Sequence, residues 1–270
     1  MQAQMLDVTS GRNKPDRATT LISLSDVNVS LGRRPILTGI NLDIAKGEFL
    51  CIVGGSGCGK TTLLRTVAGL VQPSGGSVKI DGKAVVEPRQ DVAVVFQDYG
   101  KALLPWRTAY GNVELALEAN STPKDQRQAI IEDLLTKVGL GGQGGKYPSE
   151  LSGGMQQRLQ IARCLAQSPT VLLMDEPFGA LDAMTRQALQ DEILQLVANT
   201  GTTVFFVTHD LEEAVYLGDR VIGLRPNPGR VGIDAGVPLA RPRNQLTTRE
   251  DAEFLRLRRR LFDFIQETEA

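Results

Sequence analysis

The segment at residues 54–61 is the feature that most constrains the fold. It reads Gly-Gly-Ser-Gly-Cys-Gly-Lys-Thr and matches the pattern G-x-x-x-x-G-K-[ST]. A continuous apolar run at residues 49–53 precedes it, and a helical pattern at residues 61–68 follows it. A buried strand that enters a glycine-rich turn and then a helix is the arrangement in which backbone amides surround a phosphate group. The sequence therefore predicts a phosphate-binding loop in an α/β protein.

The loop residues are the first candidate site residues. Lys60 is expected to reach the β- and γ-phosphates of a nucleotide, and the Thr61 hydroxyl is expected to hold Mg²⁺. Cys58 has two interpretations, a small filler residue or a thiol made reactive by the helix N-terminus, which lowers the pKa of a cysteine. The full set of candidate phosphate contacts is Gly54, Gly55, Ser56, Gly57, Cys58, Gly59, Lys60, Thr61 and Thr62.

Further apolar runs indicate a mainly parallel sheet. They lie at residues 92–96, 171–174, 204–207 and 221–224, and continuous apolar strands are typical of parallel sheets buried on both faces. Helical patterns separate them at 123–138, 155–167 and 183–198, where Thr122 is the predicted N-cap of the first and Pro123 its first residue. Alternating segments at 21–29 and 36–44 predict an antiparallel β layer added at the N-terminus.

Composition excludes several classes of protein. The chain has 270 residues with 30 basic and 31 acidic side chains, so its net charge of −1 gives no argument for nucleic-acid binding. No apolar run approaches the roughly 20 residues that a membrane-spanning helix needs. The three cysteines, at scattered positions, are typical of a reducing compartment.

Two acids follow the apolar run at 171–174. Ligands bind beyond the carboxyl ends of parallel strands, so Asp175 is expected to lie where Mg²⁺ on the phosphates would be. Glu176 points differently and is a candidate base that takes a proton from an attacking water. The alternative is that the two acids merely end a strand at solvent. His209, the one histidine of the chain, follows the run at 204–207, and this strand-end position favours a functional role over a structural one.

Residues 151–158 read Leu-Ser-Gly-Gly-Met-Gln-Gln-Arg and predict a second anion-binding surface. Ser152 can cap a helix that starts near Met155, and Gly153 and Gly154 expose amides at its N-terminus. The segment resembles the LSGGQ signature of ABC ATPases, with Met155 before the glutamine, Gln156.

The resemblance implies the other parts of an ABC ATPase. Gln97 is similar to the glutamine that touches Mg²⁺ and the attacking water, residues 180–182 resemble the D-loop, and His209 resembles the switch histidine at the γ-phosphate. The signature residues Ser152, Gly153, Gly154 and Gln156 would serve the nucleotide of a second subunit, so the expected assembly is a head-to-tail homodimer with ATP between the chains. The family usually stacks an aromatic residue on adenine, and this chain has Leu31 in that place.

The expected fold is an α/β P-loop ABC ATPase core with a mainly parallel sheet, an N-terminal antiparallel β layer and a helical signature subdomain. We expect a flexible extension at 1–20, a nucleotide-binding domain at 21–240 with its helical subdomain at about 98–168, and a helical extension at 241–270. Residues 249–270 carry Phe254, Leu257, Leu261 and Ile265 at helical spacing, which favours a helix packed on the domain surface over a membrane anchor.

Residues 97–108 look like the FQ-x-x-x-LLPW-x-T pattern of nitrate, sulfonate and taurine importer ATPases, and residues 225–230 resemble their R-P-x-P-G-R element. The resemblance implies an ATP-hydrolysing subunit that energises the import of nitrate, sulfonate, taurine or a similar small anion. Its partners would be a multi-pass membrane permease and, indirectly, a solute-binding protein, with no nucleic acid. Its place would be the cytoplasmic face of the inner membrane, as a peripheral protein. Trp106 in this segment either packs in the core or helps to seat the partner.

Two alternatives stay open on sequence. The first is a soluble ABC-type ATPase that acts as a mechanical or regulatory factor without a membrane partner. The second is a simple P-loop kinase, which the signature at 151–158 disfavours because a kinase has no need of it. The partner distinguishes the first alternative, and a phosphorylated acceptor distinguishes the second.

Overall fold

Two β-sheets form the framework of the chain in the computed structural model, which describes residues 20–269. The ten strands of the described residues are β1 (Thr20–Leu31), β2 (Arg34–Ala45), β3 (Phe49–Val53), β4 (Gly75–Ile80), β5 (Lys83–Ala84), β6 (Val92–Val95), β7 (Val171–Asp175), β8 (Thr203–Val207), β9 (Arg220–Arg225) and β10 (Arg230–Gly236). The predicted extension at 1–20 lies outside the described residues, apart from Thr20 at the start of β1.

The helices of the same residues are α1 (Lys60–Val67), α2 (Tyr99–Ala102), α3 (Ala109–Ala119), α4 (Lys124–Lys137), α5 (Gly153–Leu165), α6 (Ala183–Thr200), α7 (Leu211–Leu217), α8 (Thr247–Glu250) and α9 (Ala252–Glu269). A short 3-10 helix at Pro148–Glu150 leads into α5. Sequence patterns predicted α1, α4, α5, α6 and α9, whereas α3 and α7 were not predicted.

The larger sheet has the strand order β10-β9-β3-β8-β7-β6, and every neighbouring pair except β10 and β9 is parallel. All residues of β3, β7 and β8 are buried, which explains their continuous apolar sequences. The predicted parallel sheet is therefore confirmed. Because β3, β6, β7 and β8 run in the same direction, the residues that follow them meet at one edge of the sheet.

The smaller sheet has the order β2-β1-β4-β5 and is antiparallel, as the alternating segments at 21–29 and 36–44 predicted. Its apolar side chains and those of one face of the larger sheet form one core with α1 between them. The other face of the larger sheet packs under the helical region that contains α3, α4 and α5. The larger sheet, whose edge carries the site, is thus covered by a hydrophobic core on each face.

One predicted helix boundary is wrong. Thr122 does not cap α4, because Pro123 is the N-cap residue and the helix begins at Lys124. Pro123 has a ψ of 140°, outside the helical region, so it ends the preceding turn and does not begin the helix. The Thr122 carbonyl instead accepts a hydrogen bond from Arg127 Nε at 2.8 Å.

The C-terminal helix α9 is amphipathic and packs on the domain. Phe254, Leu257 and Leu261 are buried in the core of the helical face, and Phe264 completes the stripe, while Ile265 is only partly buried. No helix within residues 20–269 combines the length and the apolar character needed to cross a bilayer. The division into a domain at 21–240 and an extension at 241–270 stays a prediction.

Candidate active site

The loop between β3 and α1 is shaped by its glycines. Gly59 is the N-cap of α1 and has a φ of +99°, a conformation that glycine adopts without strain. A Cβ at Gly59 would lie 2.6 Å from Leu37 Cδ2, so β2 packs closely against the loop at this glycine. The loop therefore turns sharply from the sheet into the helix, with the N-terminus of α1 directed at the site.

Lys60 lies inside the loop. Its side chain is buried, and Nζ donates hydrogen bonds to the carbonyl oxygens of Gly54 at 2.7 Å and Gly55 at 3.1 Å. These two contacts hold the ammonium group within the loop. The predicted role of Lys60 as a phosphate contact fits this position.

Asp175 and Thr61 meet across the site. The Thr61 hydroxyl donates to Asp175 Oδ1 at 3.1 Å, and the Asp175 carboxyl is buried. Burial raises the pKa of Asp175, and the hydrogen bond from Thr61 acts in the opposite direction. A hydroxyl and a carboxylate are hard oxygen donors of the kind that Mg²⁺ prefers, and a divalent cation would favour the ionised carboxyl. The residues present therefore fit a magnesium ion.

Glu176 leaves the end of β7 in a strained conformation. Its φ is +46°, in the left-handed region that non-glycine residues rarely adopt, and its amide donates to Val207 O at 2.9 Å. Such strain costs of order 1–3 kcal/mol and is typical of functional positions. The Glu176 side chain reaches Gln97 and His209, whereas Asp175 contacts Thr61.

Two side chains from neighbouring strand ends converge on the Glu176 carboxylate. Gln97 Nε2 donates to Glu176 Oε2 at 3.1 Å, and His209 Nδ1 lies 3.3 Å from the same oxygen. Gln97 follows β6 and His209 follows β8, while Glu176 follows β7 between them. The prediction that these residues share one site is consistent with this geometry, and the idea that the acids merely end a strand at solvent does not account for it.

These residues border a cavity of about 610 Å³. It opens between the glycine-rich loop and the ends of β6, β7 and β8, and it is large enough for a nucleotide. Its lining contains two residues that the sequence analysis missed, Arg34 and Ile36 at the start of β2, because no motif marks them. The lining residues are Arg34, Ile36, Ser56, Gly57, Gly59, Lys60, Thr61, Thr62, Gln97, Glu176 and His209.

The hypothesis of a reactive Cys58 is wrong for this structure. The side chain is fully buried in the apolar core beneath the loop, and burial raises its pKa above the ordinary value, although Lys60 acts in the opposite direction. The desolvation of a thiolate outweighs the helix N-terminus here. Cys58 is therefore a small core residue, the other interpretation of the sequence.

The signature residues lie apart from this cavity within the described chain. Ser152 caps α5 by accepting a hydrogen bond from Met155 N at 3.4 Å, as predicted. A Cβ at Gly154 would lie 3.1 Å from Leu181 Cδ2, so the start of α5 packs closely on the segment before α6. The Gln156 side chain faces the segment that precedes α5. Its Nε2 donates to the carbonyl oxygens of Pro148 at 2.9 Å and of Leu151 at 3.1 Å.

Two candidate residues lie at exposed positions. Leu31 ends β1, opposite Arg34 in the hairpin, and 57% of its surface is exposed. It does not line the cavity, whereas Arg34 beside it does. Trp106 is 71% exposed, so the idea that it packs in the core is wrong. Its proposed role in contacting a partner is consistent with that exposure.

Comparison with known proteins gives concordant results. The family model described as ABC transporter matches residues 37–179. The bicarbonate transport ATP-binding protein CmpD of Synechocystis sp. is 42% identical over 268 residues, covering 98% of this chain and 94% of that protein. The nitrate import ATP-binding protein NrtD of Synechococcus elongatus is 44% identical over 230 residues, covering 84% and 83% of the two chains.

Solved structures agree with the family match. A dimeric structure of a post-hydrolysis state of an ATP-binding cassette, bound to ADP and Pi, superposes with a TM-score of 0.71 at 32% identity. The superposition covers 80% of this chain and 99% of that one. The predicted α/β cassette fold is thereby confirmed.

Proposed function

Because the chain belongs to the ABC transporter family, we propose that it is the ATP-hydrolysing subunit that energises a membrane importer of small anions. The observation that carries this proposal is the convergence of Gln97, Glu176 and His209 beside the phosphate loop. A kinase would need a site for the molecule that accepts the phosphate. The arrangement around the Glu176 carboxylate instead suits the activation of water.

The proposed chemistry is the hydrolysis of ATP. The loop amides and Lys60 hold the phosphates, and Thr61 with Asp175, assisted by Gln97, would hold Mg²⁺. The cation neutralises charge on the phosphates when it is bound. Glu176 accepts a proton from the attacking water, and Gln97 and His209 keep its carboxylate in place.

The proposed assembly is a head-to-tail homodimer. Ser152, Gly153 and Gly154 present the N-terminus of α5 outside the cavity of their own chain, so an anion bound there would belong to a second copy. The dimeric cassette structures that this chain resembles support such an arrangement. Each ATP would then lie between the loop of one chain and the signature residues of the other.

The proposed partner is a multi-pass permease, which a solute-binding protein would supply with solute. A membrane partner would place the chain at the cytoplasmic face of the inner membrane as a peripheral protein. The relatives named for nitrate and bicarbonate support a small oxyanion as the solute, within the predicted group of nitrate, sulfonate, taurine or a similar small anion. The exposed Trp106, in the segment that resembles importer ATPases, is the proposed contact with the permease.

The test is co-purification of the tagged chain from detergent-solubilised host membranes, followed by ATP-driven uptake of nitrate or bicarbonate in proteoliposomes. We expect a multi-pass protein to be retained, and Trp106→Ala to weaken its retention. Leu246→Ala is the matched control, since Leu246 is similarly exposed at 74% but lies near the C-terminus. Recovery of soluble proteins alone would favour a mechanical or regulatory factor.

A further inference from the structure

His209 sits on a short turn whose backbone is held by its neighbours. Thr208 N donates to Ile52 O at 3.1 Å, and Asp210 N donates to Thr208 Oγ1 at 3.0 Å. The His209 side chain itself is 70% exposed, and its Nδ1 lies 3.3 Å from Glu176 Oε2. The position of the imidazole therefore depends on the backbone on either side of it.

A buried carboxyl group lies directly beneath this turn. Glu213, in the first turn of α7, is 5% exposed, and its Oε2 accepts a hydrogen bond from Thr208 Oγ1 at 2.5 Å. Its Oε1 accepts from Gln190 Nε2 of α6 at 3.0 Å. Both carboxyl oxygens thus have a donor, and one of them is the hydroxyl that also receives the Asp210 amide.

The C-terminal segment fixes the orientation of Gln190. Gln245 Nε2 donates to Gln190 Oε1 at 3.3 Å, so the amide nitrogen of Gln190 faces Glu213. Gln245 is itself held by Asp191 Oδ1 at 2.8 Å and by the Gln187 carbonyl at 3.1 Å. A continuous line of hydrogen bonds therefore runs from the C-terminal segment through α6 to the turn that carries His209.

We propose that Glu213 is a positioning residue, which holds His209 at the phosphate site through the Thr208 hydroxyl. The inference rests on the proposed role of His209 in hydrolysis. A carboxylate accepts the hydroxyl proton in a charge-assisted hydrogen bond, about twice as strong as a neutral one. The Thr208 oxygen is then oriented with its lone pairs toward the Asp210 amide, which fixes the backbone on both sides of the histidine.

The charges around Glu213 make this contact sensitive to pH. The pKa of Glu213 is raised to about 7, chiefly by burial and also by the charge of Asp210, while the hydrogen bonds from Thr208 and Gln190 and the charge of Arg186 of α6 act in the opposite direction. Cys51 of β3 faces the same carboxyl from the sheet and is itself buried and neutral. Protonation of Glu213 replaces the charge-assisted hydrogen bond by a weaker one, so hydrolysis is expected to decline toward acid pH.

The experiment measures ATP hydrolysis by the 270-residue chain, with kcat and KM determined across pH. We expect Thr208→Val to lower kcat about tenfold while KM changes less than about twofold, because the phosphate loop is intact. Thr208→Ser keeps the hydroxyl and restores kcat to near the wild-type value. Glu213→Gln lowers kcat and removes the acidic limb of the kcat profile near pH 7.

Thr203→Val is the matched control. Thr203 lies at the opposite end of β8, is also fully buried, and accepts a hydrogen bond from Gly47 N at 2.8 Å. Its loss removes a buried hydroxyl from the same strand without touching the turn, so it lowers thermal stability and leaves kcat unchanged. The inference is overturned when Thr208→Val retains wild-type kcat, or when Thr203→Val loses kcat to the same extent.

His209→Ala separates this inference from the proposed function. Loss of hydrolysis in His209→Ala together with wild-type kcat in Thr208→Val and Glu213→Gln would remove Glu213 as a positioning residue and leave the proposed site intact. Full hydrolysis in His209→Ala would remove the role of the histidine, and the inference about Glu213 with it.

Discussion

The side-chain amide of Gln97 donates a hydrogen bond to the Glu176 carboxylate across 3.1 Å, although the two residues are 79 positions apart in the sequence. Gln97 follows the edge strand β6 and Glu176 follows its parallel neighbour β7. The contact orients the carboxylate without supplying a positive charge, so Glu176 stays available as a proton acceptor. This arrangement leads to the first prediction.

Glu176→Gln is expected to bind ATP with near wild-type affinity and to lose turnover by about 10²-fold or more, because an amide does not accept the proton of the attacking water. Bound ATP that is not hydrolysed is expected to hold the homodimer together, which light scattering measures. Glu192→Gln is the control, since Glu192 is an exposed residue of α6. Near-normal turnover in Glu176→Gln would exclude Glu176 as the base.

Lys60→Ala is expected to weaken ATP binding itself. The ammonium group is held inside the loop by the Gly54 and Gly55 carbonyls, and a hydrogen bond from this charged group to a bound phosphate is expected to contribute about 1.5–3 kcal/mol, or roughly 10–100-fold in affinity. Calorimetry with ATP measures the loss, and Lys137→Ala, which removes a surface ion pair with Asp133, serves as the control. Unchanged ATP affinity in Lys60→Ala would contradict the phosphate role.

The native chain is expected to react slowly with a thiol reagent. Cys51, Cys58 and Cys164 are all free and buried, and burial raises the pKa of each thiol. A colorimetric thiol assay should detect all three cysteines in denaturant and little reaction in the native protein, with no effect of ATP. A single fast thiol that ATP protects would restore the idea of a reactive Cys58.

The central architecture was predictable because it follows from local patterns. The continuous apolar strands, the glycine-rich loop and Ser152 as a helix cap each have a signal within a few residues of sequence. Since parallel strands share one edge, the strand ends alone placed Asp175, Glu176 and His209 together.

The parts that were missed depend on contacts between distant segments. Arg34 and Ile36 reach the cavity only because β2 packs against the loop, and no local pattern marks them. The two interpretations of Cys58 could not be separated from the sequence, because its burial depends on packing against the distant β layer. The link from Gln245 to Glu213 through Gln190 spans three segments and has no motif.

Leu31→Tyr is expected to tighten ATP binding. Leu31 is exposed in the hairpin beside Arg34, at the place where the resemblance puts the adenine, and an aromatic pair contributes about 0.5–1.5 kcal/mol beyond area burial. This corresponds to roughly 2–10-fold in affinity. Binding of inorganic tripolyphosphate is the control, because it contains no ring. An equal gain for tripolyphosphate, or no gain for ATP, would place the adenine elsewhere.

Glu213 is expected to make the stability of the fold depend on pH. Its pKa rises from 4.5 to about 7 on folding, chiefly through burial. Between these values the folded state binds more protons than the unfolded state, so the contribution of Glu213 to the free energy of unfolding is fully present below about pH 4.5 and is lost as pH rises through 7. Glu213→Gln does not titrate and therefore lacks this slope.

Urea unfolding of wild type and Glu213→Gln at about pH 5 and pH 8 tests this sign. The difference in unfolding free energy between the two proteins is expected to shift in favour of the variant at the higher pH, because only the wild type must then bury a charged carboxylate. Glu48 and Asp175, whose pKa values are also raised by burial, are common to both proteins and cancel in the comparison. A difference that stays constant across this range would mean that Glu213 titrates near its ordinary pKa. Any decline of kcat toward acid pH would then have to come from the protonation of another group.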